Sequence, residues 1–281
     1  MKLLGKRVIQ YAGNAIVLEY DSPAAEELLE RIIYPFPSPT KAKISATIRV
    51  EVTDSSKPSY SIFLGETRIY KSQNKVDFSE MLLSKICYHL AFNSRDGMLF
   101  HAAGLGYDSY GILVPGGIGF GKSTFTAWMV ANGCDYLSDE FVYFPWESEQ
   151  MQSFNRPLHL KKASRSVLDL FIDYNADEKL IQCGTHSDLV NPKHIKPDNH
   201  YQQPQVRLIL FPHYKVDSEF QWKELSPAET GLELMQFLIN ARNLPEYGFK
   251  EIVHIAQKSK AVKFQYSTFE QIIQPIQGLI I

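Results

Sequence analysis

Residues 116–123 read Gly-Gly-Ile-Gly-Phe-Gly-Lys-Ser, after the apolar run Gly111-Ile112-Leu113-Val114 and before the helical pattern of Thr124, Ala127, Trp128, Met129 and Ala131. A strand that enters a glycine turn and leaves as a helix belongs to an α/β sheet, with ligands at the C-terminal strand ends. Glycines let successive main-chain N–H groups turn inward with no Cβ in the way. The helix adds its unpaired N–H groups and positive end. The G-x-x-x-x-G-K-S spacing is that of a phosphate-binding loop. The expected nucleotide-binding residues are Gly116, Gly117, Ile118, Gly119, Phe120, Gly121, Lys122, Ser123 and Thr124. Lys122 would place a point charge at the β- and γ-phosphates, and Ser123 would ligate Mg²⁺.

The helix pattern ends near Gly133, and a short strand at 136–137 leads into Ser138-Asp139-Glu140. Phosphoryl transfer to a hydroxyl needs a carboxylate that accepts the hydroxyl proton, and a second negative group that holds the metal. Asp139 and Glu140 are the candidates, with Asp139 the expected base and either one a metal ligand. Neighbours on a regular strand face opposite sides, so a solvated acidic turn is the competing reading. His101 ends the strand before the hairpin that feeds the loop, as a core histidine or a site residue. His186, His194, His200 and His213 match no metal-ligand spacing and read as loop residues.

The N-terminal residues 1–96 read as a small α+β module. Two strand-like runs in 8–20 flank a turn signal at Gly13-Asn14. A helix starts at Ser22-Pro23 with Ala25, Leu28, Leu29 and Ile32 on one face, and Pro35-Phe36-Pro37-Ser38-Pro39 stops it. Alternation marks strands at 46–53 and around Tyr60, Ile62 and Leu64. Asp77-x-x-Glu80 resembles a capping box ahead of a helix with Leu82, Leu83, Ile86 and Leu90 on its face. Arg95-Asp96-Gly97 is the expected boundary turn. After it come strands at 98–104 and 110–115, joined by a turn at Asp108-Ser109. The segment 182–205 is polar, carries Pro192, Pro197 and Pro204, and shows no period.

At 281 residues the chain has room for about two domains, expected as 1–96 and 97–281. The 31 acidic and 29 basic residues nearly cancel, which argues against binding nucleic acid by bulk charge. The three cysteines, Cys87, Cys134 and Cys183, form no C-x-x-C pair, so neither a disulfide framework nor a zinc ribbon is expected. Lys6 and Arg7 follow Met1-Lys2-Leu3-Leu4 at once, so no signal-peptide core forms, and no apolar run is long enough to span a membrane. The expectation is a cytoplasmic protein without a membrane partner.

His101-Ala102-Ala103-Gly104, the loop 116–123 and Leu137-Ser138-Asp139-Glu140-Phe141-Val142 together resemble the HPr kinase/phosphorylase family. They resemble more closely the HPr-kinase-related proteins found with modified-peptide biosynthesis. That family shares its nucleotide site with ATP-dependent phosphoenolpyruvate carboxykinase. The likeness continues through Asn155-Arg156-Pro157-Leu158-His159-Leu160-Lys161-Lys162, Gly184-Thr185 and Arg207-Leu208-Ile209-Leu210-Phe211-Pro212, covering roughly residues 97–275. It implies an α/β fold with a P-loop-containing mixed sheet of the HPr kinase/PEP carboxykinase type behind the N-terminal module. It also implies a serine kinase that uses ATP and Mg²⁺ on a peptide or small protein. Asp139, His101 and Lys122 would be catalytic, Ser123, Glu140 and Asp139 would hold the metal, and Arg156 would meet phosphate. The family's habit of assembling implies a homo-oligomer. The chain departs from the family in carrying Glu140 as the second acid instead of the usual Asp, and His186-Ser187-Asp188 where a lysine often follows Gly-Thr. Two other readings stand beside this one. The first is a nucleotide-binding recognition module of a peptide-modifying complex, with the apolar tail Gly278-Leu279-Ile280-Ile281 docking a partner or simply packing. The second is a different P-loop NTPase, such as a small-molecule kinase.

Overall fold

A computed structural model describes residues 3–34, 42–53, 56–146, 148–200 and 203–280. The chain opens with a hairpin, β1 (Gly5–Tyr11) and β2 (Asn14–Tyr20). Its turn residues are Ala12 and Gly13, at φ +52° and +79°. Positive φ at both central positions matches the twist of the strands. The turn is therefore one residue earlier than Gly13-Asn14. Asn14 belongs to β2, and its side-chain amide donates to the Leu90 carbonyl at 2.8 Å.

Helix α1 (Pro23–Ile32) begins as expected. Ser22 Oγ accepts from the Ala25 N–H, Pro23 occupies the first turn, and Ala25, Leu28, Leu29 and Ile32 are buried. The proline stretch 35–39 expected to stop it lies outside the described residues. Then come β3 (Lys43–Thr53), β4 (Ser59–Leu64) and β5 (Thr67–Ser72), and the first sheet runs β1-β2-β3-β4-β5. Strand β5 was not anticipated. It is an edge strand with no fully buried residue, so it leaves no period in the sequence.

Helix α2 (Lys75–Phe92) corrects the expected cap. Asn74 Oδ1 accepts from the N–H groups of Val76 and Asp77, so the helix starts before Asp77, and Glu80 lies inside it, free to do something else. Leu82, Leu83, Ile86 and Leu90 are buried as expected.

The second sheet is built from β6 (Gly97–Tyr107), β7 (Tyr110–Pro115), helix α3 (Lys122–Ala131), β8 (Asp135–Ser138), β9 (Phe141–Pro145) and β10 (Gln152–Ser153). A small antiparallel sheet follows from β11 (Leu158–Lys161), α4 (Arg165–Leu168), β12 (Ile181–Cys183), β13 (Ser187–Val190) and α5 (Pro192–Ile195), in the order β11-β13-β12. The segment 182–205 is thus not wholly irregular. All four residues of β13 are buried, so no alternation marks it, and buried Asp188 is held by Lys162 at 2.6 Å and Arg165 at 2.8 Å. The chain closes with β14 (Gln205–Tyr214), β15 (Gln221–Glu224), α6 (Pro227–Met235), α7 (Phe249–Lys258), β16 (Lys260–Tyr266) and α8 (Ile273–Ile280).

The second sheet runs β10-β9-β6-β7-β14-β16-β15, with β8 also on β6. Strand β14 is parallel to β7 and β16, and the other pairs are antiparallel, so the sheet is mixed and the fold is α/β. Tyr110 Oη donates to the Ile280 carbonyl at 3.2 Å, and Leu279 and Ile280 pack partly on the core around α3. The tail residues therefore pack against this chain, with Ile281 outside the described residues.

One core cluster joins the first sheet, α1 and α2 to Leu99, Phe141, Tyr143, Phe154 and Leu189. Burying each leucine or phenylalanine of this set contributes about 2 kcal/mol. Tyr11 Oη also donates to the Gln152 carbonyl at 2.8 Å, tying the hairpin to β10. No helix among the described residues is long and apolar enough to cross a membrane.

Candidate functional site

Strand β7, between β6 and β14, is buried along Ile112, Leu113 and Val114, and its C-terminal end delivers the chain to the glycine loop. Gly119 and Gly121 sit at φ +87° and +81°, in the left-handed region that glycine enters at little cost. A Cβ on Gly121 would lie 2.7 Å from the Tyr214 Cβ, so this position is closed to any side chain. The Tyr214 N–H donates to the Phe120 carbonyl at 3.0 Å, and the Phe120 ring stacks on His213 at 4.4 Å. His213 is therefore part of β14 and supports the loop. Helix α3 starts at Lys122 with Gly121 as its cap and no side chain capping it. Its first N–H groups thus lack a side-chain acceptor.

The Lys122 side chain turns inward, and its Nζ donates to the main-chain carbonyl of Asp139. It is 7% exposed and makes no ion pair with a carboxylate among the described residues. Burial lowers its proton affinity, Asp139 and Glu140 partly restore it, and Arg156 lowers it again.

Ser138, Asp139 and Glu140 form the turn between β8 and β9. The N–H groups of Glu140 and Phe141 donate to Ser138 Oγ at 3.2 and 3.1 Å. Glu140 and Asp139 therefore escape the alternation of a regular strand, and both carboxylates converge on one guanidinium. Arg156 Nε is 3.8 Å from Asp139 Oδ1, and its Nη1 is 3.5 Å from Glu140 Oε2. Burial works against the charge on Arg156, but the two carboxylates together raise its pKa.

The two acids differ in what they face. Asp139 is 2% exposed. Its Oδ1 accepts from Tyr136 Oη and its Oδ2 from the His159 N–H, each at 3.1 Å. Glu140 lines a cavity of about 440 Å³ with His101, Lys122, Ser123 and His159. His101 Nε2 lies 3.8 Å from Glu140 Oε1. Burial and the Lys122 charge lower its pKa against the opposing pull of Glu140 and Asp139, so the ring is neutral at neutral pH. The opposite part of the cavity is walled by Val167, Tyr214, Tyr266, Thr268 and Phe269, and Thr124 Oγ1 meets Ser164 Oγ at 2.7 Å on its floor.

No family model and no curated protein matches the sequence. Among solved structures, the chain is similar to the Hpr(Ser) kinase/phosphatase from Coxiella burnetii. The identity is 12% and the TM-score 0.31, over 64% of this chain and 96% of that one. A likeness this remote assigns neither family nor activity.

Beyond the loop, two of the expected site residues stand outside the cavity lining. The Asp139 carboxylate, expected to act on the acceptor, stands behind the cavity wall with both oxygens engaged. Arg156, expected to meet phosphate, also stands outside the cavity lining and clamps the acidic turn instead. Gly117, Ile118, Gly119, Gly121, Lys122, Ser123, Thr124, His101 and Glu140 do meet around one cavity, while Gly116 and Phe120 are not part of its lining. Cys87 and Cys134 are buried, and burial pushes each thiol up to about 12. They behave as small apolar residues. Glu80 was read only as a capping acid, and His159 only as part of a longer resembling stretch. No local spacing marks either, because their partners are distant in sequence.

Proposed function

We propose that the chain is an ATP-dependent kinase that transfers the γ-phosphoryl group to a hydroxyl, as on a serine of a peptide or small protein. What supports the reading above all is Lys122. A buried ammonium with no carboxylate ion pair among the described residues, at the start of a helix that no side chain caps and beside a glycine loop, calls for an anionic ligand. The loop residues 116–124 would hold the triphosphate, and the aromatic wall of Tyr214, Tyr266 and Phe269 would face the base.

No group of three or more His, Cys, Asp or Glu side chains among the described residues forms a metal site by itself. Ser123, at the start of α3, and the carboxylate of Glu140 both line the cavity, a pair that suits Mg²⁺, which takes few protein ligands and completes its shell with phosphate oxygens and water. Bound there, the ion would neutralise charge on the phosphates. Asp139 and Arg156 serve to hold the turn that aims Glu140 and receives Lys122. The acceptor hydroxyl would approach past His101 and His159. The residues 1–96 are proposed as the unit that recognises the acceptor.

One observation favours a second reading, a nucleotide-binding recognition module with little catalysis. The carboxylate expected to act on the acceptor is engaged elsewhere. Incubation with γ-labelled ATP, Mg²⁺ and serine-containing peptides separates the two. Label transferred to peptide is the expected outcome. ATP bound without transfer to any peptide, and without hydrolysis, would favour the module.

A further inference from the structure

The cavity contains a second imidazole whose surroundings differ from those of His101. His159 lies on β11, and its ring lines the cavity beside Lys122, Ser123 and Glu140. Its main-chain N–H donates to Asp139 Oδ2, which locks the residue to the acidic turn. Its Nε2 is buried 3.0 Å from Glu80 Oε1, a close charge contact outside hydrogen-bond geometry. Glu80 is itself fixed, because Ser187 Oγ donates to the same carboxylate oxygen. These contacts hold the carboxylate charged, since burial raises its pKa but His159 and Ser187 lower it further.

A carboxylate beside Nε2 favours a proton on that nitrogen, which leaves Nδ1 as the acceptor of the uncharged ring. Nδ1 has no hydrogen-bond partner among the described residues. The other groups in reach are committed. Asp139 is behind the wall, Glu140 faces Arg156 and the metal position, and His101 sits beside the Lys122 charge.

We propose that His159, oriented by Glu80 of helix α2, is the group that takes the proton from the phosphoacceptor hydroxyl. This rests on the kinase reading and deepens it. In the step, the acceptor oxygen bonds to the γ-phosphorus while the bond from that phosphorus to the bridging oxygen breaks. The electron pair of the broken bond stays on the ADP oxygen. The acceptor proton moves to Nδ1, and the Glu80 carboxylate stabilises the imidazolium. His159 is the catalytic residue and Glu80 the positioning residue. A consequence is that residues 1–96 contribute to the chemistry as well as to any docking.

The test uses the full chain with Mg²⁺-ATP and water as the acceptor, measuring kcat and KM for hydrolysis and, separately, equilibrium ATP binding. His159→Ala is expected to lower kcat by about 100-fold or more, the range of general-base catalysis, with ATP binding unchanged. Added imidazole is expected to restore part of the rate. Glu80→Ala is expected to lower kcat at unchanged KM, and Glu80→Gln, which keeps an oxygen for Nε2 and Ser187, to lose less. A His159→Ala protein with wild-type kcat, or one whose loss imidazole does not repair, overturns the assignment alone. If that variant does not fold, Glu80→Gln decides, with wild-type kcat overturning and reduced kcat at unchanged KM supporting. A wild-type chain that fails to bind ATP, or binds it with neither hydrolysis nor transfer to any serine-containing peptide, overturns the kinase reading and the assignment together.

Discussion

Lys122 is a cation held where little water reaches it, and among the described residues a main-chain carbonyl is its hydrogen-bond partner. Such burial costs free energy that a bound anion recovers. Lys122→Met is expected to abolish ATP binding and yet raise stability at pH 7 by about 1 kcal/mol, or about 2–4 °C in a chain of this size. The pH dependence follows from the lowered proton affinity of the folded state. Between the folded value and about 10.4, the unfolded chain binds more protons, so wild-type stability rises with pH there and its deficit against the variant shrinks. Thermal melts of both proteins across alkaline pH, with and without ATP, check this, and a variant that melts lower at pH 7 overturns it. The residue identities at this site were legible because the G-x-x-x-x-G-K-S pattern and the acidic pair are local. The direction of the Asp139 carboxylate was not, because Tyr136, His159 and Arg156 set it together.

The glycine loop is the element on which binding depends, and its two left-handed glycines are not equivalent. Gly121→Ala adds a Cβ 2.7 Å from the Tyr214 Cβ, on top of positive φ. The expected cost is about 2 kcal/mol or more, with loss of ATP binding. Gly119→Ala meets nothing within 4 Å and carries the φ penalty alone, about 1 kcal/mol. Urea unfolding and ATP titration of both variants check the contrast, and equal losses would contradict it. Elements with a buried face and a clear cap, such as α1, were legible in the sequence. Edge strand β5 and fully buried β13 were not, since neither a wholly uncovered nor a wholly covered strand alternates. Helix α2 was legible in its face and misread in its cap, because Asn74 accepts from the N–H groups of Val76 and Asp77 and starts the helix ahead of Asp77.

Across the whole molecule, the core under the first sheet is completed by Leu99, Phe141, Tyr143, Phe154 and Leu189 from beyond residue 96. Cutting the chain at the expected boundary would expose these side chains to water. Residues 97–281 expressed alone are therefore expected to lose a sharp unfolding transition and to bind hydrophobic dyes, while the full chain melts in one step. Calorimetry of both proteins checks this, and a cooperative melt of the shorter chain would mean that the two parts fold independently. The truncation also removes Glu80, so loss of turnover by itself would not separate folding from chemistry.

By itself the sequence determined the loop, the strand and helix on either side of it, the acidic pair and most of the amphipathic elements. All of these follow from residues within a few positions of one another, where spacing sets which face a side chain takes. Only the tertiary structure decided which acid faces the cavity, that Arg156 clamps the turn, and that Glu80 reaches His159 from another sheet's helix. Those contacts join positions far apart in the chain, and their geometry depends on how buried layers pack, which no local period encodes.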